Sequence, residues 1–166
     1  MAWGSGNVVR GADLLKGELV HLDALDRSDI ETLGPWWRNL DLIQYLSQGA
    51  AFPKTMEDEV EWFERQRKDS GTFTFAIRRN DDMSLIGTAS LFSFNWRIRK
   101  CVFGISIGDP SAWGRGYGTD ATRIVIRYGF EELNLNRLQL HVYEYNERAR
   151  RAYEKAGFTV EGRLRE

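Results

Sequence analysis

Apolar positions along this chain switch between a period of two and a period of three to four. Thr72-Phe73-Thr74-Phe75-Ala76-Ile77, Leu85 to Phe92 and Cys101 to Ile107 read as strands, with Asn80-Asp81-Asp82 turning the first into the second. Asn95 to Lys100 links the second to the third. Glu18 to Leu22 predicts an opening strand, and the alternation Leu138-Gln139-Leu140-His141-Val142-Tyr143 predicts a late one. Helical spacing begins at Ser28 to Leu33, where Gly34-Pro35 is expected to interrupt it before Trp36-Trp37-Arg38. A second helix is expected from a Thr55 cap to about Lys68, with the acidic residues of Glu57 to Glu61 near its positive end. Near the end, Asn146 suits an N-cap and Gly157 a left-handed C′ position. Between them Ala149, Ala152, Tyr153 and Ala156 share one face. Thr159 to Glu166 then reads as a strand. The order predicts an α/β (α+β) fold with one central, mostly antiparallel sheet.

Between the strand ending at Ile107 and the next helical pattern lies Trp113-Gly114-Arg115-Gly116-Tyr117-Gly118-Thr119-Asp120-Ala121. A glycine-rich turn opening a helix lets backbone N–H groups converge on an anion, and the helix dipole adds favourable potential. Glycine also lets the ligand approach the main chain closely. The turn predicts a bound phosphate or pyrophosphate. It is not a P-loop, because no Gly-Lys-Ser/Thr follows, and its G-x-G-x-G spacing differs from the dinucleotide fingerprint.

Two motifs give the chain its resemblance. Trp113-Gly114-Arg115-Gly116-Tyr117-Gly118 is similar to the Gln/Arg-x-x-Gly-x-Gly/Ala pyrophosphate loop of the GNAT superfamily of acyl-CoA-dependent N-acetyltransferases, with Trp113 departing at the first position. Asn146, Ala149, Tyr153, Gly157 and Phe158 match that superfamily's Asn-x-x-Ala-x-x-x-Tyr-x-x-x-Gly-Phe in full. The chain most resembles the branch with the ribosomal-protein N-terminal and spermidine acetyltransferases. The likeness runs from about Gly17 to the end, which makes 1–16 an N-terminal extension and 17–166 one acyltransferase domain.

The resemblance implies a GNAT-like sheet with one splayed strand pair, acetyl-CoA as co-substrate and no metal. Backbone groups of Ile105, Ser106 and Ile107 would pair with the pantetheine arm like a partner strand. The turn from Trp113 through Gly114, Arg115, Gly116, Tyr117, Gly118 and Thr119 would hold the pyrophosphate. Asn146 would orient the cofactor, with Arg115, Arg148 and Arg151 as candidates for the ribose phosphate. These arginines read equally well as an ordinary solvated helix face.

Acetyl transfer by direct attack needs an amine stripped of its proton, a donor to the oxyanion and a proton for the departing thiolate. The resemblance places the acid at Tyr153 and the oxyanion donor at backbone N–H near Ile105. The base position falls on His141, whose imidazole titrates near neutrality, with Glu144 as the second candidate. Packing roles remain open for both Tyr153 and His141. An aromatic acceptor wall would come from Trp36, Trp37, Tyr45, Phe52 or Trp96, with Asp41, Glu57 or Asp58 attracting a cationic amine.

Composition limits the alternatives. The chain has 166 residues, enough for one domain with a single core. A formal charge of −1 argues against a nucleic-acid partner. One cysteine and two histidines cannot build a structural zinc site or a disulfide framework. Cys101 fits a reducing cytoplasm as a small buried group. No run reaches a membrane span and no leader pattern opens the chain, so a cytoplasmic protein away from membranes is expected. The branch normally adds a final strand after Thr159 to Glu166; lacking it, an exposed edge would favour a homodimer. The acceptor is read as a small-molecule or peptide amine. A silent acyl-CoA-binding module and a nucleotide-binding regulatory domain are the competing readings.

Overall fold

Among the described residues, five strands, β1 (Val20–Ala24), β2 (Phe73–Arg79), β3 (Leu85–Asn95), β4 (Lys100–Ile107) and β5 (Arg137–Gln139), form one sheet in chain order. This computed structural model describes residues 14–46 and 51–165. The first four strands pair antiparallel, and β5 joins β4 in parallel. Among the described residues, the helices around the sheet are α1 (Ile30–Trp36), α2 (Leu40–Ile43), α3 (Met56–Lys68), α4 (Tyr117–Glu131) and α5 (Glu147–Ala156).

Local chemistry sets the helix ends. Thr55 and Asp58 form a capping box on α3, each accepting the other's backbone N–H. Asn146 caps α5 by accepting from the Ala149 N–H at 3.2 Å, and Gly157 closes it with φ +112°. Gly34-Pro35 does not interrupt the first helix, contrary to expectation. Pro35 falls in the last turn of α1 and removes only one donor there. Gly34 is buried, and a Cβ added to it would meet the Met56 side chain of α3 at 3.4 Å.

Two strand expectations fail. Leu138–Tyr143 yields only β5, because pairing stops at Gln139 and Leu140 onward leaves β4. Residues 159–165 adopt no strand. Val160 and Leu164 are exposed there, and the segment is held instead by ion pairs from Arg137 to Glu161 and from Arg163 to Glu144.

Each face of the sheet has its own cover. Cys101 and Phe103 of β4 are buried with Ala121, Ile124 and Val125 of α4, at the spacing of an amphipathic helix. Leu33, Ala76 and Leu85 form a smaller cluster with Trp36, Trp37 and Trp62. Full burial pushes the Cys101 thiol up to about 11, so it stays a thiol near neutrality.

The start of the domain is fixed by α4. Asp120, buried in its first turn, accepts the backbone N–H groups of Glu18, Leu19 and Val20 at 3.3, 2.8 and 3.0 Å. Arg127 donates to the carbonyls of Leu14 and Lys16 at 2.8 and 2.6 Å. Leu14 is itself buried, so packing begins ahead of the expected boundary at Gly17. Replacing Asp120 by Ala strands three donors, and should lower unfolding stability by about 3 kcal/mol in urea titrations. A loss below about 1 kcal/mol would mean that the clasp contributes little.

Candidate active site

The last register pair between β4 and β5 is Val102 with Gln139. Past it, Phe103 to Ile107 pair with β3 on one side and with no described strand on the other. Gly108 donates to Ile86 across the β3 side at 2.9 Å. Backbone direction alternates along an antiparallel ladder, so Ser106 and Gly104 also address β3, while Ile105 and Ile107 turn their N–H and C=O outward. The Ile107 carbonyl accepts from the Trp113 indole, and the other outward groups, the Ile105 N–H and C=O and the Ile107 N–H, have no strand partner among the described residues. This edge matches the pairing a pantetheine arm needs.

The glycine turn lies directly beyond this edge. Gly114 and Gly116 adopt φ +71° and +87°, the left-handed conformation that glycine tolerates without strain. Gly116 is the N-cap of α4, and the N–H groups of Tyr117, Gly118 and Thr119 in the first turn have no intrahelical acceptor. A Cβ built on Gly114 meets nothing within 4 Å, so the approach to the turn is open. Free amides, an aligned helix dipole and open space suit a diphosphate.

Trp113 holds the turn in place. Its indole Nε1 donates to the Ile107 carbonyl at 2.7 Å, which ties the loop to the end of β4. The Arg148 guanidinium of α5 sits 4.0 Å over the Trp113 ring, and Arg115 lies 5.7 Å from the centre of the Tyr117 ring. These contacts bring Arg115 and Arg148 to the turn. Arg151 is 3.8 Å from Glu147 on the exposed surface of α5, and no contact joins it to the turn among the described residues.

Tyr153 packs edge-on against Phe103 and Phe158, with ring centres 6.3 and 6.1 Å apart. Burial pushes its phenol up to about 12, so it is protonated at neutral pH and able to donate. Phe103 is the first β4 residue past the last β5 pair, which sets Tyr153 beside the start of the split. His141 and Glu144 lie on the exposed loop after β5, not on a strand as expected, because the ladder has already ended. Glu144 is paired with Arg163 at 2.5 Å.

A model of the family described as "Acetyltransferase (GNAT) domain" matches residues 20–159. The chain belongs to the GNAT acetyltransferase family. Membership makes it an acetyl-CoA-dependent N-acetyltransferase. It is 35% identical over 158 residues to "Probable N-acetyltransferase YjcK" of Bacillus subtilis (strain 168), covering 90% of this chain and 85% of that one. Spermidine N(1)-acetyltransferase of Escherichia coli (strain K12) is 30% identical over 148 residues, covering 87% and 75%. The crystal structure of spermidine N-acetyltransferase from Vibrio cholerae in complex with CoA and spermine superposes with TM-score 0.78 at 27% identity, covering 87% and 83%.

In this GNAT chain the helices before β2 cover the sheet face opposite α4. Trp36 lies against Gly108, where any added side chain would overlap its ring. Trp37 and Trp62 pack with centres 4.7 Å apart. Tyr145 donates its hydroxyl to the Gln44 carbonyl at 3.0 Å and packs against Tyr45, joining the α2 region to the β5–α5 loop. Other expected wall residues fall elsewhere. Trp96 is exposed at the β3–β4 hairpin, a strand length of roughly 25 Å from Ile107. Phe52 is exposed, and Asp58 is committed to the α3 cap.

Sequence reasoning missed Glu59. It is 1% exposed, and neither carboxylate oxygen has a hydrogen-bond partner. Desolvation, with help from the Asp58 charge, pushes its carboxyl up to about 7. An unfolded glutamate ionises near 4.5, so the unfolded chain releases this proton first as pH rises. Glu59 should therefore cost no stability below about pH 4.5 and a growing amount up to about pH 7. Thermal melts of Glu59→Gln against the parent should match near pH 4.5 and favour the variant at pH 8. A pH-independent difference would place Glu59 in a solvated or paired setting.

Proposed function

We propose that this GNAT enzyme moves the acetyl group of acetyl-CoA to a primary amine by direct attack within a ternary complex. The observation that supports this most is the early end of the β4–β5 ladder beside a turn of free backbone amides. The pantetheine arm would lie along the outward edge of Ile105 and Ile107, with the diphosphate on Gly114 to Thr119. Arg115 and Arg148, held over aromatic rings at the turn, supply positive charge for the ribose phosphate.

The Ile105 N–H faces the split and would receive the oxyanion as the amine attacks the thioester carbonyl. Tyr153 would then pass its proton to the departing thiolate, a role its neutral phenol suits better than that of a base. The incoming ammonium must lose a proton first. His141 and Glu144 are both exposed, and Glu144 is already ion-paired, so a His141-linked water is the arrangement the geometry favours.

The acceptor would approach from the helical side, where Trp36 lies against Gly108 at the end of β4. A small-molecule amine fits this reading, as do the relatives that act on spermidine. A panel of amines and peptides, scored by thiol release and by an acetyl mass shift, identifies it. Tyr153→Phe should lower turnover at least about tenfold with CoA affinity retained. Unchanged turnover would leave Tyr153 a packing role. Gly116→Val should abolish CoA binding in calorimetry, since a branched side chain is strained at φ +87° and crowds the phosphates. Retained affinity would move the diphosphate off this turn.

A further inference from the structure

The split between β4 and β5 has a closed end. The two strands are paired through Val102 and Gln139 and separate after that point. The turn from Gly114 to Thr119 lies at the opposite, open end, where the Trp113 indole ties it to the Ile107 carbonyl. An arm that starts at the turn and passes Ile107 therefore runs toward the closed end. Once its thioester carbonyl reaches the Ile105 N–H, Phe103 stands only two residues further along, roughly 7 Å of strand.

Side chains fill that end. Phe103 is 2% exposed. Its ring stacks on Phe158 at 6.2 Å and 8° from parallel, and meets Tyr153 edge-on at 6.3 Å. Tyr153 and Phe158 also pack on each other at 6.1 Å, so the three rings close a triangle. Leu138 and Leu140, from the other wall of the split, are packed against the same core. A protein interior is as dense as an organic crystal, and extra methylenes enter it only by forcing side chains and backbone to shift.

We propose that the triangle of Phe103, Tyr153 and Phe158 limits the length of the acyl group this enzyme accepts, with Phe103 as the specificity-determining residue. An acetyl group ends short of the rings, and a butyryl group runs into them. This rests on the placement of the pantetheine arm along Ile105 and Ile107 given above. It adds a limit on the donor, whichever amine is the acceptor.

Calorimetry with CoA, acetyl-CoA, propionyl-CoA and butyryl-CoA tests it without an acceptor. The parent enzyme should bind butyryl-CoA at least about tenfold more weakly than acetyl-CoA, with propionyl-CoA between them. Phe103→Leu keeps an apolar side chain but removes the ring. It should reduce that difference at least about fivefold while its affinity for CoA, which carries no acyl group, stays as in the parent. Equal affinity of the parent for acetyl-CoA and butyryl-CoA, or an undiminished difference in Phe103→Leu, overturns the proposal. Should Phe103→Leu fail to bind CoA, Phe158→Leu opens the same triangle from a half-buried position and is judged by the same two results. Amide NMR separates the two readings. Ile105 and Ile107 N–H resonances that CoA leaves unmoved defeat the placement of the arm, and this proposal with it. Resonances that move, with no discrimination among the thioesters, defeat the length limit alone.

Discussion

The structure depends on where one β-ladder stops. β4 and β5 share register only from Lys100 to Val102, and everything assigned to the acyl carrier lies beyond that point. Continued pairing would satisfy the outward N–H and C=O of Ile105 and the Ile107 N–H, and leave no room for an arm between the strands. The separation has a visible wedge. Phe103, the first residue past the last pair, meets Tyr153 edge-on and Phe158 in a stack, both from the α5 region. Packing that holds the strands apart also sets the candidate acid at the mouth of the gap.

The phosphate end is built from contacts that join distant parts of the chain. Trp113 fastens the turn to Ile107, and Arg148 fastens it to α5. One residue past the free amides, Asp120 binds the segment that opens β1. The first turn of α4 therefore combines two features: its N–H groups have no intrahelical acceptor, and its carboxylate holds the amino-terminal strand. A buried acid in the first turn is also favourable with the helix dipole.

Much of this was legible in the chain. The glycine-rich turn before α4, the Thr55 cap and the Asn146 and Gly157 caps are local features, and local chemistry determines them; Asp58, read as an attractor for a cationic amine, instead completes the Thr55 capping box. The length of β5 was not legible, because alternation continues through Tyr143 while the partner strand diverges. Pro35 misled for a related reason: a proline in a last turn breaks no more than one bond. Asp120 and Glu59 carry no local signal at all. Asp120 acts about a hundred residues away in sequence, and the burial of Glu59 arises only when α1 and α3 meet. Trp96 looked like a pocket aromatic because sequence composition does not say at which end of a strand a residue stands.

The direct measurement of the central claim is the amide NMR spectrum of the enzyme titrated with CoA. Bound carrier should shift the N–H resonances of Ile105 and Ile107 together with those of Gly114 to Thr119, while Gly104 and Ser106, turned toward β3, move less. CoA binding that leaves the Ile105, Ile107 and Gly114 to Thr119 amides unmoved would contradict the account.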